Sequence, residues 1–263
     1  MSGPVEGLRS VKRGKVWLVG AGPGDPELLT VRAHRLLKEA SILAYDELVS
    51  PEIMAIAPPT AERIAVGRRA NGCRHHEARI HPLVVERALA GRPVVRLKGG
   101  DPMVFGRGGE EAEELAAWRI PFEIVPGISA ALAAAATANI PLTHRECASS
   151  VTLATAHAAD GDPARQATGI RDATLVFYMG LGRIAETCAA LIAGGRDPAT
   201  PAAVVSRATM PDARVVVGTV ADIGRRVEQA AVQAPAVLFV GEVVARRVES
   251  VVVAGGYSLG AVR

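Results

Sequence analysis

From Lys15 onward the sequence alternates short runs of β-branched residues with amphipathic segments. That alternation is the pattern of strands joined through crossover helices into a mostly parallel sheet. The first set of runs, at residues 16–19, 42–45, 63–66, 94–97 and 122–125, predicts five strands. Between them, residues 27–39 place Leu28, Val31, Leu36 and Leu37 near one face, and residues 81–90 do the same with Leu83, Val84 and Leu89, so both predict helices. Five strands with intervening helices make one α/β unit.

A second unit follows the Pro126-Gly127 turn. A helix of small residues at 129–138 leads to the Pro141-Leu142-Thr143-His144-Arg145 loop, and further strands are expected at 151–156, 174–179, 202–206, 214–217 and 237–240. The boundary falls between residues 127 and 140, and we place it so that the domains are 14–135, with a parallel sheet, and 136–250, with a mixed sheet. Residues 1–13 and 251–263 are then tails. Two domains of this size suit a chain of 263 residues. Residues 158–169, rich in Asp, Gly and Ala and without apolar periodicity, read as a surface loop or lid.

Composition limits the partners. The chain is 49% hydrophobic, 22% charged and only 3% aromatic, which suits a globular protein and leaves no base-stacking platform, so nucleic acid is not expected as a partner. Net charge is +3 and the basic residues are nearly all arginine. Guanidinium forks favour carboxylates and phosphates bound in a fixed plane, so an acidic small molecule fits better than DNA. Cys73, Cys147 and Cys188 are too scattered for a disulfide framework or a zinc site, which points to a reducing, cytoplasmic setting. No apolar run is long enough to span a bilayer, so no membrane association is expected. His75, His76 and His81 could suggest a metal cluster, but the first two are adjacent and read as solvent-facing, so no metal is expected.

Strand one ends in Gly20-Ala21-Gly22-Pro23-Gly24-Asp25-Pro26, superficially a dinucleotide-binding loop. Pro23 has no N–H to give a pyrophosphate and Asp25 sets a negative charge beside it, so a nicotinamide-dependent oxidoreductase is disfavoured. Asp25-Pro26 reads instead as a helix cap with proline in the first helical position. The glycine-rich loop from Leu97 to Glu111 is more unusual. After a buried strand it lets backbone pass close to a ligand at the sheet's carboxyl edge, while Glu110 and Glu111 favour the start of the next helix.

Taken together, Val19-Gly-Ala-Gly-Pro-Gly-Asp-Pro26, Tyr45-Asp46, Val95-Arg-Leu-Lys-Gly-Gly-Asp-Pro102, Phe105-Gly-Arg-Gly-Gly-Glu-Glu111, Val125-Pro-Gly-Ile-Ser129 and Pro141-Leu-Thr-His-Arg145 resemble the tetrapyrrole methylase family, nearest to its uroporphyrinogen-III methyltransferase branch. The likeness runs from about Lys15 to about Arg246. It implies two α/β domains with the active site in the cleft between them, a homodimer, and methyl transfer from S-adenosylmethionine to C2 and C7 of uroporphyrinogen III, releasing S-adenosylhomocysteine and precorrin-2. It also implies that the methyl donor lies near Pro23, Gly99, Gly100, Asp101, Val104, Ser129, Ala130, Met179 in Tyr178-Met179-Gly180, and Ala208 in Arg207-Ala208-Thr209. Arg107 and Arg145, in two of the best-matched loops, are the expected guanidinium partners of the substrate carboxylates. Asp46 is the expected base, with Glu110 in reserve.

The chain departs from the family pattern at several places. Arg68 stands where the family carries lysine, and a guanidinium is a poor acid. Glu77, His81, Ala156 and Ala208 also differ from the usual residues. Two other readings stay open: a methylase of a later precorrin or cobalt-precorrin, and a noncatalytic tetrapyrrole-binding protein. Some relatives fuse this unit to a dehydrogenase and chelatase module, for which this chain has no room.

Overall fold

The computed structural model describes residues 12–66, 80–156 and 172–249. The readings at Arg68, Cys73, His75, His76 and Glu77, the loop at 158–169 and most of the two tails lie outside those residues. The chain divides into two compact units, residues 1–128 and 129–263.

The first unit holds strands β1 (Val16–Gly20), β2 (Ile42–Tyr45), β3 (Glu62–Ala65), β4 (Val94–Lys98) and β5 (Phe122–Val125). They form a parallel sheet in the order β3-β2-β4-β1-β5. Every strand therefore delivers its following loop to the same edge, the place where open α/β sheets bind ligands. Strand alternation divides the side chains between two faces. Val19, Leu43, Val95, Leu97 and Val125 pack under helices α1 (Val31–Lys38) and α2 (Pro51–Met54). Val16, Leu18, Ile42, Ala44 and Val94 pack against α3 (Pro82–Leu89) and against Leu115 of α4 (Gly108–Ala117).

The expected helix at 27–39 is two pieces. Asp25 accepts from the Glu27 N–H at 2.9 Å and Pro26 opens a short 3-10 turn, Pro26–Leu28. Leu29 is then extended (ψ 142), and Thr30 caps a new helix by accepting from the Ala33 N–H at 3.1 Å. A threonine hydroxyl three residues before a helical N–H is a start signal, and it outranks the continuing apolar spacing.

The second unit contains α5 (Ala130–Ala138), β6 (Ser150–Thr155), β7 (Ala173–Tyr178), α6 (Ile184–Ala193), β8 (Pro201–Ser206), β9 (Arg214–Thr219), α7 (Ile223–Gln229) and β10 (Ala236–Val240). Its sheet order is β6-β7-β10-β8-β9; β6 and β7 are parallel and the other pairings antiparallel. One core joins Leu175 and Phe177 of β7, Val204 of β8 and Leu238 of β10 to Ile184, Cys188 and Leu191 of α6 and Val227 of α7. Among the described residues no helix is long and apolar enough to cross a membrane.

Candidate functional site

In the first unit three loops meet at the carboxyl edge of the sheet. Gly22, after β1, and Gly100, after β4, exchange hydrogen bonds: the Gly22 N–H donates to the Gly100 carbonyl at 3.1 Å and the Gly100 N–H to the Gly22 carbonyl at 2.7 Å. Both have positive φ, +68 and +66, which glycine adopts without steric cost. A Cβ on Gly127, after β5, would lie 2.3 Å from the Gly100 oxygen, so the three loops pack backbone to backbone. Asp101 ties them: Oδ1 accepts from the Met103 N–H at 2.8 Å and Oδ2 from the Gly127 N–H at 3.0 Å. Val104 donates its N–H to the Asp101 carbonyl at 3.3 Å. Pro23, Gly99, Gly100, Asp101 and Val104 are thereby gathered on one edge of one sheet.

Asp46 follows β2 on the same edge and belongs to a buried charge network. Its backbone N–H donates to the Leu97 carbonyl, and its Oδ1 accepts from Arg96 Nη2 at 2.7 Å. Arg96 also donates from Nε and Nη2 to Glu111 Oε1 at 3.3 and 3.0 Å, and from Nη1 to the Leu97 carbonyl at 2.9 Å. Lys98 Nζ reaches the same Glu111 oxygen at 2.8 Å. The side chains of Arg96, Lys98 and Glu111 are 6%, 3% and 6% exposed, whereas Asp46 is 27% exposed. Burial opposes the charge on Arg96, but the Glu111 and Asp46 carboxylates outweigh it and hold the guanidinium protonated above its ordinary value. For Lys98 the balance is reversed: burial, reinforced by the neighbouring Arg96 charge, pushes the ammonium below the usual lysine value despite Glu111.

Arg96, Lys98 and Glu111 are absent from the sequence-derived site. Their signal was present: two cations two residues apart in an otherwise apolar central strand must share one face, and there they require buried acids. Glu111 supplies one from the first turn of α4, four residues before the buried Leu115.

Arg107 precedes α4 in a left-handed conformation (φ +59) and its Nε lies 3.2 Å from Glu110 Oε1. The expected substrate-binding arginine and the reserve base are therefore partners in an ion pair, about half exposed. Arg145 is exposed on a turn closed by reciprocal backbone bonds between His144 and Ala148, both at 2.9 Å. His81 caps α3, accepting from the Leu83 N–H at 3.3 Å, and the described residues contain no cluster of three metal-ligating side chains.

In the second unit, Tyr178 at the end of β7 organises its surroundings. Its hydroxyl hydrogen-bonds Ser129 Oγ at 2.6 Å and accepts from the Ala131 N–H at 3.1 Å, which fixes the start of α5 and with it Ala130. Met179 then turns into a left-handed conformation (φ +56) with 52% of its surface exposed. Strands β7 and β8 both run antiparallel to β10, so the loops after them leave the same sheet edge. In the loop after β8, Ala208 sits between Arg207 (φ +48) and Thr209 (φ +69). Arg207 donates its backbone N–H to the Pro235 carbonyl at 2.9 Å and pairs with Asp212 at 2.6 Å, a pairing that holds the Asp212 carboxyl below its usual range. Three left-handed non-glycine residues on one edge, one of them β-branched, are strain of the kind concentrated at ligand-binding loops.

Comparison with known proteins places these two sheets in a recognised setting. The family model described as Tetrapyrrole (Corrin/Porphyrin) Methylases matches residues 15–224. A siroheme synthase of Pseudomonas fluorescens is 49% identical over 245 residues, covering 92% of this chain and 53% of its own length. A siroheme synthase of Azotobacter vinelandii is 51% identical over 244 residues, with 89% and 51% covered. The chain thus spans about half the length of the curated relatives it matches. Among solved structures, the uroporphyrin-III C-methyltransferase of Thermus thermophilus complexed with S-adenyl homocysteine is 42% identical with a TM-score of 0.77, covering 89% of this chain and 100% of that one. A cobalt precorrin-4 methyltransferase reaches the same TM-score at 29% identity, with 88% and 95% covered.

Proposed function

The chain belongs to the tetrapyrrole methylase family, and from that premise we propose that it methylates uroporphyrinogen III at C2 and C7 with S-adenosylmethionine, forming precorrin-2. One observation carries the reading: the 42% identity and TM-score of 0.77 extend over the whole of a uroporphyrin-III C-methyltransferase chain crystallised with S-adenyl homocysteine.

The local geometry fits such a methyl donor. The backbone-to-backbone packing of Gly20, Gly100 and Gly127 leaves no room for side chains among these loops, and main-chain groups at Gly99 and Gly100 stay partly exposed at the edge. Asp101 spends both carboxylate oxygens on backbone donors, so its part is to hold the loops for a ligand bound through main-chain atoms. Pro23 and Val104 line the same edge of the first unit, while Ser129, Ala130, Met179 and Ala208 belong to the second. When bound, S-adenosylmethionine supplies an electrophilic methyl group on a sulfonium that leaves readily as neutral thioether.

The protein's own contribution is then position and proton handling. Arg107 and Arg145 bind carboxylates of the macrocycle through their guanidinium forks, and for Arg107 this exchanges one acid partner, Glu110, for another. Asp46 takes the proton that the macrocycle must lose once a ring carbon has been methylated, and Glu110, freed from Arg107, stands in reserve. Cys147 and Cys188 are both free thiols, which supports a reducing, cytoplasmic setting, and the family likeness supports a homodimer.

The test is anaerobic incubation of the protein with uroporphyrinogen III and methyl-labelled S-adenosylmethionine, with mass analysis of the oxidised products. A gain of two labelled methyl groups is expected. Methylation of precorrin-2 but not of uroporphyrinogen III would move the substrate to a later tetrapyrrole, and binding of both ligands without transfer would make the protein a sensor or carrier.

A further inference from the structure

The sheet face beneath α3 and α4 is apolar at Val94, which packs with Leu115 of α4, then becomes charged toward the carboxyl edge, where Arg96 and Lys98 are buried with Glu111 of α4. Burying ions costs several kcal/mol each before pairing, and hydrophobic residues of like volume would serve a purely structural role at least as well. The arrangement is also directional. Glu111 Oε1 receives three donor contacts, two from Arg96 and one from Lys98, while Glu111 Oε2 is buried with no hydrogen-bond partner. All three donor nitrogens of Arg96 are committed, so its guanidinium plane is fixed by Glu111 and the Leu97 carbonyl. The single member of the network that reaches the surface is Asp46, held through Oδ1 alone. Its Oδ2 has no hydrogen bond to any described residue.

We propose that Arg96, clamped by Glu111 and the Leu97 carbonyl, is the positioning residue for Asp46, presenting Oδ2 to the departing proton while Oδ1 stays bound to the guanidinium. This rests on the reading of Asp46 as the base. After methylation, a C–H bond of the bridge carbon next to the methylated ring breaks, its electrons form a double bond that neutralises the cationic ring, and the proton passes to Oδ2. The fork geometry is the essential property. A lysine at 96 keeps the charge but cannot reach Glu111, the Leu97 carbonyl and Asp46 at once, so it holds Asp46 less firmly.

The experiment compares Arg96→Lys, Arg96→Gln, Asp46→Asn and the double variant Asp46→Asn/Arg96→Lys in the full chain. Thermal unfolding and calorimetric binding of S-adenosylhomocysteine serve as controls for folding. Arg96→Lys is expected to bind S-adenosylhomocysteine like the wild type and to lose about 10-fold or more in kcat with little change in either KM, the mark of an interaction made in the transition state. Arg96→Gln, which also leaves an excess buried negative charge, loses more. The double variant falls no lower in kcat than Asp46→Asn, because two residues acting through one contact are not additive. Wild-type kcat in Arg96→Lys beside an impaired Asp46→Asn would overturn the positioning role and leave Asp46 as the base. Full activity in Asp46→Asn would remove that base and the proposal with it. A rise in KM for S-adenosylmethionine with kcat unchanged would reduce Arg96 to a loop support.

Discussion

Thr209 combines two costs at one residue. Its backbone is left-handed (φ +69), which a β-branched side chain adopts with strain, and its hydroxyl is buried without a partner. Costs of that kind persist where the surroundings impose them, and here they fix the backbone of neighbouring Ala208. Thr209→Gly should therefore keep or raise the unfolding temperature, because glycine takes the same φ freely, while a looser loop weakens S-adenosylhomocysteine binding by calorimetry. A lowered unfolding temperature with binding intact would mean that the threonine side chain packs usefully and the strain has no ligand role. Cys188 carries a different dependence. Burial against α7 and the second sheet pushes its thiol from 9.0 to about 11. Its folded value lies above its unfolded value, so its contribution to stability is complete below pH 9.0 and is lost as the pH rises through about 11. In parallel melts across that window, the wild type should lose stability more steeply than Cys188→Ala. Parallel curves would place the thiol in contact with solvent.

At the scale of elements, what could be read in advance depended on which signal was local. The strands β1, β2, β4, β5 and β7 are short runs rich in Val, Ile, Leu and aromatic residues, and such runs name themselves. Helix α2 was missed because four residues from Pro51 to Met54 make too short a period to count, although Ser50 caps it by accepting from the Ile53 N–H at 3.3 Å. The order of the second sheet is not legible either, since the insertion of β10 between β7 and β8 is settled by long-range pairing. Within the candidate site, the glycine loops were visible and the Arg96 network was not: β4 was scored for its apolar residues, and its two cations gain meaning only when Glu111 arrives from the next helix. The glycine loops also give a firm prediction. A Cβ on Gly127 meets the Gly100 oxygen at 2.3 Å and Gly20 Cα at 2.8 Å, all backbone atoms with no side chain free to move aside. Gly127→Ala should cost about 2 kcal/mol or more, at the upper end of overpacking penalties, and lower the denaturation midpoint with little change in slope. A midpoint within error of the wild type would show that these loops can separate without cost.

For the whole molecule, the decisive relation is between two coverages. The chain matches about half of each siroheme synthase, 53% in Pseudomonas fluorescens, yet all of the Thermus thermophilus methyltransferase chain. Methyl transfer by the mechanism proposed above needs only Asp46 and its arginine, the glycine loops after β1, β4 and β5, the turns after β7 and β8, and the turn before β6 that carries Arg145. The first glycine loop also places Pro23, which has no N–H, where a dinucleotide would need a donor. The protein should therefore methylate at the same rate with or without added nicotinamide cofactor and ferrous ion. Under anaerobic conditions with both present, its product should keep the mass and absorbance of a metal-free, dimethylated tetrapyrrole. If the chain alone gave a metallated product, or if methyl transfer began only when a second protein was added, the loops on these two sheets would not account for the chemistry.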